Sequence, residues 1–566
     1  MARRLARWRA EQPRLIGCVL LIGVLSGCAA TPPYPGELSD PGDPEAGQLI
    51  LDDGTELSIR PADLRLTGRA EYHWPDGQHY RGDFVDGLPH GTGRQTLPSG
   101  EHYRGQWQDG VRHGQGMLQM PDGSRYVGEF AAGQRHGEGR FESRDGVYEG
   151  SWANGSPEGQ GRFEYADGSI YEGHWEQGRR NGPGRYRAAD GARYEGDWYN
   201  DVPHGFGEIQ EPDDYHYEGG WAHGRRHGYG VMSVGEALRY EGTWVTDQRQ
   251  GYGRETRVDG TTYEGEWYQD RRHGRGVAQL PDGSLHDGEW REDRPLGPGT
   301  RRLSNSIQIS GFWTGNQVPA GILSLPQGDD YAGTLYGVYQ HRVSPELVDW
   351  LRVRAERGHP HAQLMLGDAY RNYQDPEPDK TRAEHWYRQA AQQGLTEASF
   401  QLGRLYLEMP DRRSQALPPL RAAAAQQHPA ANLLLGRLYE SGNLVSRNAH
   451  LAADHYRSAS DLGNLEARHR LAWLLATSAD ETLRHAERSL TLIRPVAILF
   501  DDWQYLETLA AAQAATGDYD AAVATQRLAL RQAHSRGDAQ ASATRLADME
   551  SRLTLYRAGQ AYVSPD

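Results

Sequence analysis

Two cysteines in 566 residues leave no disulfide framework to staple a fold. Phenylalanine is scarce, 8 residues against 31 Tyr and 15 Trp. The rings are therefore mostly ones with a polar handle, suited to half-wet surfaces rather than to one large aliphatic core. Long hydrophobic runs are missing too. Leu15 to Leu25 is the one apolar stretch of note, and it is short for a membrane span. No phosphate-cradling glycine loop, nucleophile elbow or zinc-protease motif occurs. Positive charge is in deficit, with a formal net charge of −16. That balance argues against a nucleic-acid partner and against broad attraction to anionic membranes.

What the chain has in abundance is glycine, 70 residues, set in a period. Tyr80, Tyr103, Tyr126, Tyr148, Tyr171, Tyr194, Tyr217, Tyr240 and Tyr263 recur at steps of 23 residues, once 22. His286, Ile309 and Tyr331 continue the count in decaying copies. A fixed period of this size predicts stacked repeats. Within Tyr194-Glu195-Gly196-Asp197-Trp198, alternation puts Tyr194, Gly196 and Trp198 on one face and the two carboxylates on the other. A second strand is expected near Gly205 to Gln210, which makes each repeat one β-hairpin. Asp190-Gly191, Asp259-Gly260 and Asp282-Gly283 are predicted as two-residue turns with both residues at positive φ. Two strands per repeat give a rise of roughly 10 Å.

Tyr-x-Gly-x-Trp/Phe followed by His-Gly-x-Gly, repeated about ten times over about half the chain, resembles the MORN repeat. The resemblance implies an extended single-layer β array used for protein contact, self-association or lipid contact, and implies no activity. The array is placed at residues 51–337, with Asp53 to Leu57 as a truncated capping copy.

Five arginines precede the Leu15 to Leu25 run, which ends in Leu25-Ser26-Gly27-Cys28. Basic flank and length fit a secretory signal, and the ending resembles a bacterial lipobox. This predicts a signal over 1–27, acylation of Cys28, and a Pro/Gly-rich tether over 28–50. Ala29 after the cysteine resembles the outer-membrane sorting rule. The signal carries five Arg and one Glu, a net +4, so the mature body is near −20.

Beyond Gly337 the period turns helical. Ser344-Pro345 is a helix start, and Leu347, Trp350, Leu351 and Ala355 follow at helical spacing. Ala362, Ala398, Ala431 and Ala467 open a second repeat, with Leu366, Leu402, Leu435 and Leu471 four residues on. Gly367, Gly403 and Gly436 come next, and glycine at one helical register predicts close helix–helix approach. The pattern resembles the SEL-like subclass of tetratricopeptide repeats over 344–480. It departs at Pro418-Pro419, at His428 in place of a Gly stop, and at Ala472 and Leu475 in place of Gly and Tyr. An ordinary tetratricopeptide-like unit and a capping helix with Leu546, Met549 and Leu553 are expected over 481–560. The fold class is thus α+β: a single-layer β-hairpin solenoid followed by an α-solenoid.

Candidate sites are few. His90, His113, His136, His204, His227 and His273 form a row whose members sit too far apart, roughly 10 Å, to share a zinc ion. Glu172, Glu195, Glu218, Glu241 and Glu264 repeat one exposed environment, unlike a catalytic pair. Arg112, Arg135, Arg179-Arg180, Arg225-Arg226 and Arg271-Arg272 line a turn row, either solvated or gripping anions. The Tyr/Trp rows either stack as core or offer rings to sugars or peptides. Trp198, Trp221, Arg225 and Arg226 are accordingly the candidate binding surface. No catalytic residue, cofactor or metal is expected. The leading expectation is a non-enzymatic, lipid-anchored scaffold at the periplasmic side of the outer membrane, with a protein or peptide on the helical solenoid. The alternative is a polysaccharide- or peptidoglycan-binding lipoprotein.

Overall fold

The computed structural model describes residues 47–60, 62–335, 343–372, 378–500, 502–536 and 542–564. The expected signal, Cys28, most of the tether and Gly337 lie outside them. The chain divides into two compact units, Met1–Gly228 and Tyr229–Asp566. The division falls inside the hairpin array and not at the change of period.

Twenty-six antiparallel strands form one sheet among the described residues. It begins earlier than expected: Gln48–Leu51 pairs with both Glu56–Ser58 and Gly68–His73. Those first residues belong to the stretch read as tether. They pair because Leu49 buries completely, and apolar burial outweighs the Pro/Gly character just upstream.

Each repeat is a hairpin whose two ends turn differently. After the Trp or Phe of the repeats before Trp313 comes a two-residue turn with both residues at positive φ, as at Asn200 (48°) and Asp201 (70°) or Asp109 (50°) and Gly110 (82°). This is the type I′ geometry that suits strand twist. The Asp-Gly turns were expected to have it and do not. Gly283 is at +81° while Asp282 is not left-handed. Gly283 N donates to Leu280 O at 2.9 Å, and the Asp282 carboxylate accepts from Ser284 N, also at 2.9 Å. An Asp whose side chain caps its own turn settles into the ordinary right-handed position and leaves only the glycine left-handed.

The ladders also shift register after the central glycine, as between Gly196 and Asp197. The glycine of His-Gly takes positive φ there, Gly205 at 63°. A bulge at a left-handed glycine bends the strand and sharpens its twist.

The described helices number twelve: α1 Pro345–Glu356, α2 Pro360–Asn372, α3 Lys380–Gln392, α4 Thr396–Glu408, α5 Leu417–Ala425, α6 Pro429–Ser441, α7 Ala449–Asp461, α8 Leu465–Thr477, α9 Ala486–Phe500, α10 Trp503–Ala515, α11 Tyr519–Arg536 and α12 Ala543–Arg557. Ser344 caps α1, its Oγ accepting from Leu347 N at 3.1 Å. The glycine register does mark close approach. A Cβ on Gly367 would fall 2.6 Å from the Tyr387 ring, and one on Gly436 would fall 2.4 Å from Tyr456. The departures are absorbed locally. Pro418 sits in the first turn of α5, where its missing N–H costs nothing. His428 replaces the glycine stop by capping α6, its Nδ1 accepting from Ala431 N at 3.2 Å. Gln427 supplies the left-handed residue, φ 58°.

Candidate functional site

The inward face of each hairpin is built on one tyrosine. Tyr194 lies across the facing pair Gly196 and Gly207, where a Cβ on Gly207 would sit 2.3 Å from its hydroxyl. That hydroxyl donates to Asp197 O at 2.9 Å. Trp198 donates from Nε1 to Gly184 O, one hairpin back, at 3.3 Å. Ring meets ring edge-on within the repeat, Tyr194 to Trp198 at 5.1 Å, and again to the next, Tyr194 to Trp221 at 5.5 Å. Burial pushes the Tyr194 hydroxyl far above the usual phenol range. The aromatic row is therefore a continuous edge-to-face zipper, each pair adding about 0.5–1.5 kcal/mol beyond its burial.

This arrangement corrects the candidate surface. Trp198 is 2% exposed, Trp221 5% and Arg226 3%, so none offers a free face; Arg225 alone is exposed. The rings of neighbouring repeats and the arginines lying over them cover one another.

The arginine row splits by the same alternation. Arg179, Arg225 and Arg271 point to solvent, while Arg180 and Arg226 are buried and Arg272 is half-buried. Arg180 lies over Trp198 with its guanidinium carbon 4.4 Å from the ring centre, Arg249 over Trp267 at 4.1 Å, and Arg272 over Trp290 at 4.5 Å. The cations cap the zipper. Asp201, Asp270 and Asp293 hold them in the left-handed turn position. Where glycine occupies that position the turn supplies no carboxylate, and Arg112 takes Glu101 instead at 2.6 Å. Arg135 reaches only the Gly155 carbonyl at 2.7 Å, and burial draws it down to about 10.

The histidine row serves the turns. His90 Nδ1 accepts from Asp109 N at 3.4 Å, and His204 Nδ1 accepts from His223 N at the same distance. Among the described residues no group of His, Cys, Asp and Glu is placed to hold a metal ion. The glutamate row is exposed or half-exposed; Arg185 meets Glu195 at 2.8 Å. Among the exposed rings that escaped the sequence reading, three share one register: Phe206, 59% exposed, Tyr229, 61%, and Tyr252, 60%. Each sits between the two glycines of Gly-x-Gly, so strand alternation itself was the signal that they face outward. Tyr229 and Tyr252 donate to Glu241 and Glu264 at 2.6 and 3.0 Å.

On the helical repeats a cleft of about 470 Å³ is lined by Arg352 of α1, Tyr370 of α2, and Thr381, Arg382, His385 and Trp386 of α3. Arg382 lies over the Tyr370 ring at 5.3 Å. At the far end Glu507 of α10, 1% exposed, is held by Arg545 and Arg552 of α12. The expected capping helix is thus fastened by ions as well as by Met549 and Leu553. No described helix is long and apolar enough to cross a membrane.

Comparison with known proteins agrees with this geometry. The MORN repeat family matches ten stretches: 80–102, 103–125, 126–147, 148–170, 171–193, 194–213, 217–233, 240–262, 263–285 and 286–306. The Sel1 repeat family matches 360–395 and 429–464. An uncharacterized protein of Neisseria meningitidis is 30% identical over 160 residues, 22% of this chain and 34% of the relative. The mouse protein DAP3-binding cell death enhancer 1 is 36% identical over 104 residues, 18% of this chain and 20% of the relative. The chain thus spans about a third or less of each relative. Among solved structures, the Escherichia coli protective antigen c5321, which displays an SLR fold, is 22% identical, with a TM-score of 0.30, over 37% of this chain and 46% of that one. A Sel1 repeat protein from Oxalobacter formigenes is also 22% identical, with a TM-score of 0.28, over 33% of this chain and 82% of that one.

Proposed function

We propose that this chain, which carries ten MORN repeats and two Sel1 repeats, is a non-enzymatic envelope scaffold anchored by lipid at Cys28 and binding a protein partner on its helical repeats. The anchor rests on the basic flank, the short apolar run and Leu25-Ser26-Gly27-Cys28. Repeat arrays of both kinds are typical surfaces for protein contact. The observation that carries the partner reading is the cleft between α1, α2 and α3, where the Tyr370 and Trp386 rings stand beside Arg352 and Arg382. Tyr370 is buried there, Trp386 and Arg352 are half-buried and Arg382 is exposed, and a partly open Trp ring next to guanidinium groups is the composition of an interface anchor. The polysaccharide reading had Trp198 and Trp221 as its rings, and both are buried.

Two measurements test this. The full chain should pellet with outer membranes and be released when Cys28→Ala is introduced. A photo-crosslinker at His385 should give one discrete adduct in cells, lost with Trp386→Ala. Adducts only from a site on the sheet, such as Glu172, would move the partner to the hairpin array.

A further inference from the structure

The helical repeats leave the sheet and return to it. Where they leave, the junction is apolar and large. Ile307, Trp313, Leu323 and Leu325 of the last hairpins share one core with Leu347, Val348 and Leu351 of α1. Ser344 Oγ donates to Thr334 O at 2.7 Å, and His359 meets Asp329 at 3.0 Å.

Where they return, the contact is small and polar. Arg468 of α8 donates from Nη2 to Glu236 Oε2 at 3.2 Å, across 232 residues of chain. Its Nε is meanwhile held by Leu492 O at 3.0 Å, so the guanidinium is aimed. Gly463, in the corner between α7 and α8, stands against the next hairpin turn. A Cβ there would lie 3.2 Å from Asp259 O.

The repeat supplies its own control. Asp122, Asp167, Asp190 and Asp282 occupy the place of Asp259 in other hairpins, and all are exposed. Asp259 is 9% exposed. Since the hairpins share one local design, the difference comes from what covers this turn, and the α7–α8 corner lies against it. The spans match as well. Eight strand spacings separate Leu238–Val245 from Asp330–Thr334, or about 38 Å at 4.8 Å each. Taken as two-helix repeats, α1 to α8 is between three and four steps, on the order of 30–35 Å at about 8–10 Å between the axes of equivalent helices.

We infer that the helical array is a strap, permanently joined to the sheet at α1 and fastened back at the turns of Glu236 and Asp259 by a weak, salt-sensitive clasp. The Glu236 side chain is 72% exposed and Arg468 14%. Such a half-wet ion pair weakens as salt screens it. The apolar junction at α1 does not respond in that way. The glycine at 463, at φ +85°, lets the corner come so near that an added Cβ would lie 3.2 Å from Asp259 O, tighter than ordinary van der Waals contact. Opening the clasp uncovers the Asp259 turn and the α7–α8 corner together. This holds whether or not Cys28 is acylated and whether or not the cleft at Trp386 is occupied.

The test is distance-resolved crosslinking in the full chain with Cys18 and Cys28 replaced by serine. Glu236→Cys with Arg468→Cys should be joined by a short bismaleimide. Asp282→Cys with Arg468→Cys, two hairpins further along, should react several-fold less. Raising sodium chloride from 0.05 to about 1 M, where the screening length falls to about 3 Å, should cut several-fold the linking of a Leu462/Val258 cysteine pair, which leaves Glu236 and Arg468 in place. In a separate chain, with a cysteine pair at Leu462 and Val258 as reporter, Glu236→Arg should lower linking and Glu236→Arg with Arg468→Glu should restore it. Equal yields for the 236 and 282 pairs would remove the strap. Linking of the Leu462/Val258 pair that is indifferent to salt and to charge reversal would replace the clasp with a rigid joint.

Discussion

Arg180 and Asp201 meet inside the sheet, Nε to Oδ1 at 3.2 Å, with side chains 1% and 8% exposed. The same carboxylate oxygen accepts from Arg180 N at 3.0 Å, and Arg180 Nη2 donates to Asp201 O at 2.7 Å. Asp201 is also the second residue of a type I′ turn, at φ 70°. One aspartate therefore shapes a turn and neutralises the cation that caps the preceding repeat. Breaking a buried pair strands a charge, so Asp201→Ala should cost about 3–5 kcal/mol. Asp201→Gly should cost about 1 kcal/mol less, because glycine takes the left-handed position without strain. Urea unfolding of both variants checks the order.

Tyr194→Phe should cost about 1 kcal/mol, the hydroxyl bond to Asp197 O alone. Gly207→Ala should cost more, since a methyl group 2.3 Å from the Tyr194 hydroxyl must displace a ring locked between Trp198 and Trp221. Thermal melts of the two variants settle whether the glycine pair or the hydroxyl matters more. A milder glycine variant would mean that the ring can move.

His286 takes the tyrosine position of its repeat, is fully buried, and has no hydrogen-bond partner on either ring nitrogen. Burial, with Arg301 and Arg272 nearby, draws it down from 6.5 to about 4. The unfolded chain therefore takes the proton first, and the contribution of His286 to stability is lost as pH falls from about 6.5 toward 4. His286→Tyr should flatten that slope and add about 1 kcal/mol near pH 7, through a hydroxyl bond of the kind other repeats make. Unfolding midpoints at pH 7 and pH 5 for both proteins measure it.

Glu507 sits between Arg545 and Arg552 at the end of the helical stack. Glu507→Ala leaves Arg552, a 5% exposed side chain, without its carboxylate. Hydrogen exchange across α12 should rise by orders of magnitude, while exchange in α2 and α3 stays unchanged. Nearest-neighbour stacking is the reason for that confinement.

Much of this was legible beforehand because repeats overstate their rules. Tyr-x-Gly-x-Trp named the inward face, since period two leaves no choice once one face carries the rings. Gly367, Gly403 and Gly436 named the helix contacts, since only a crossing backbone or ring needs glycine at one register. The turn types were exchanged between the two hairpin ends. Asp-Gly reads as type I′ only if the aspartate accepts positive φ, and here its own carboxylate holds it in the ordinary region. Arg225 and Arg226 look alike in sequence, and their separation followed from alternation that the dipeptide conceals.

Periodicity by itself determined the two arrays, their order, and which residues of each repeat face inward, because local sterics and alternation repeat with the chain. Only the tertiary structure decided that Trp198, Trp221 and Arg226 are covered, that Asp201 binds an arginine 21 residues away, and that Arg468 reaches Glu236. Those facts depend on which segments come to lie side by side, and no local signal in a repeat encodes its distant neighbour.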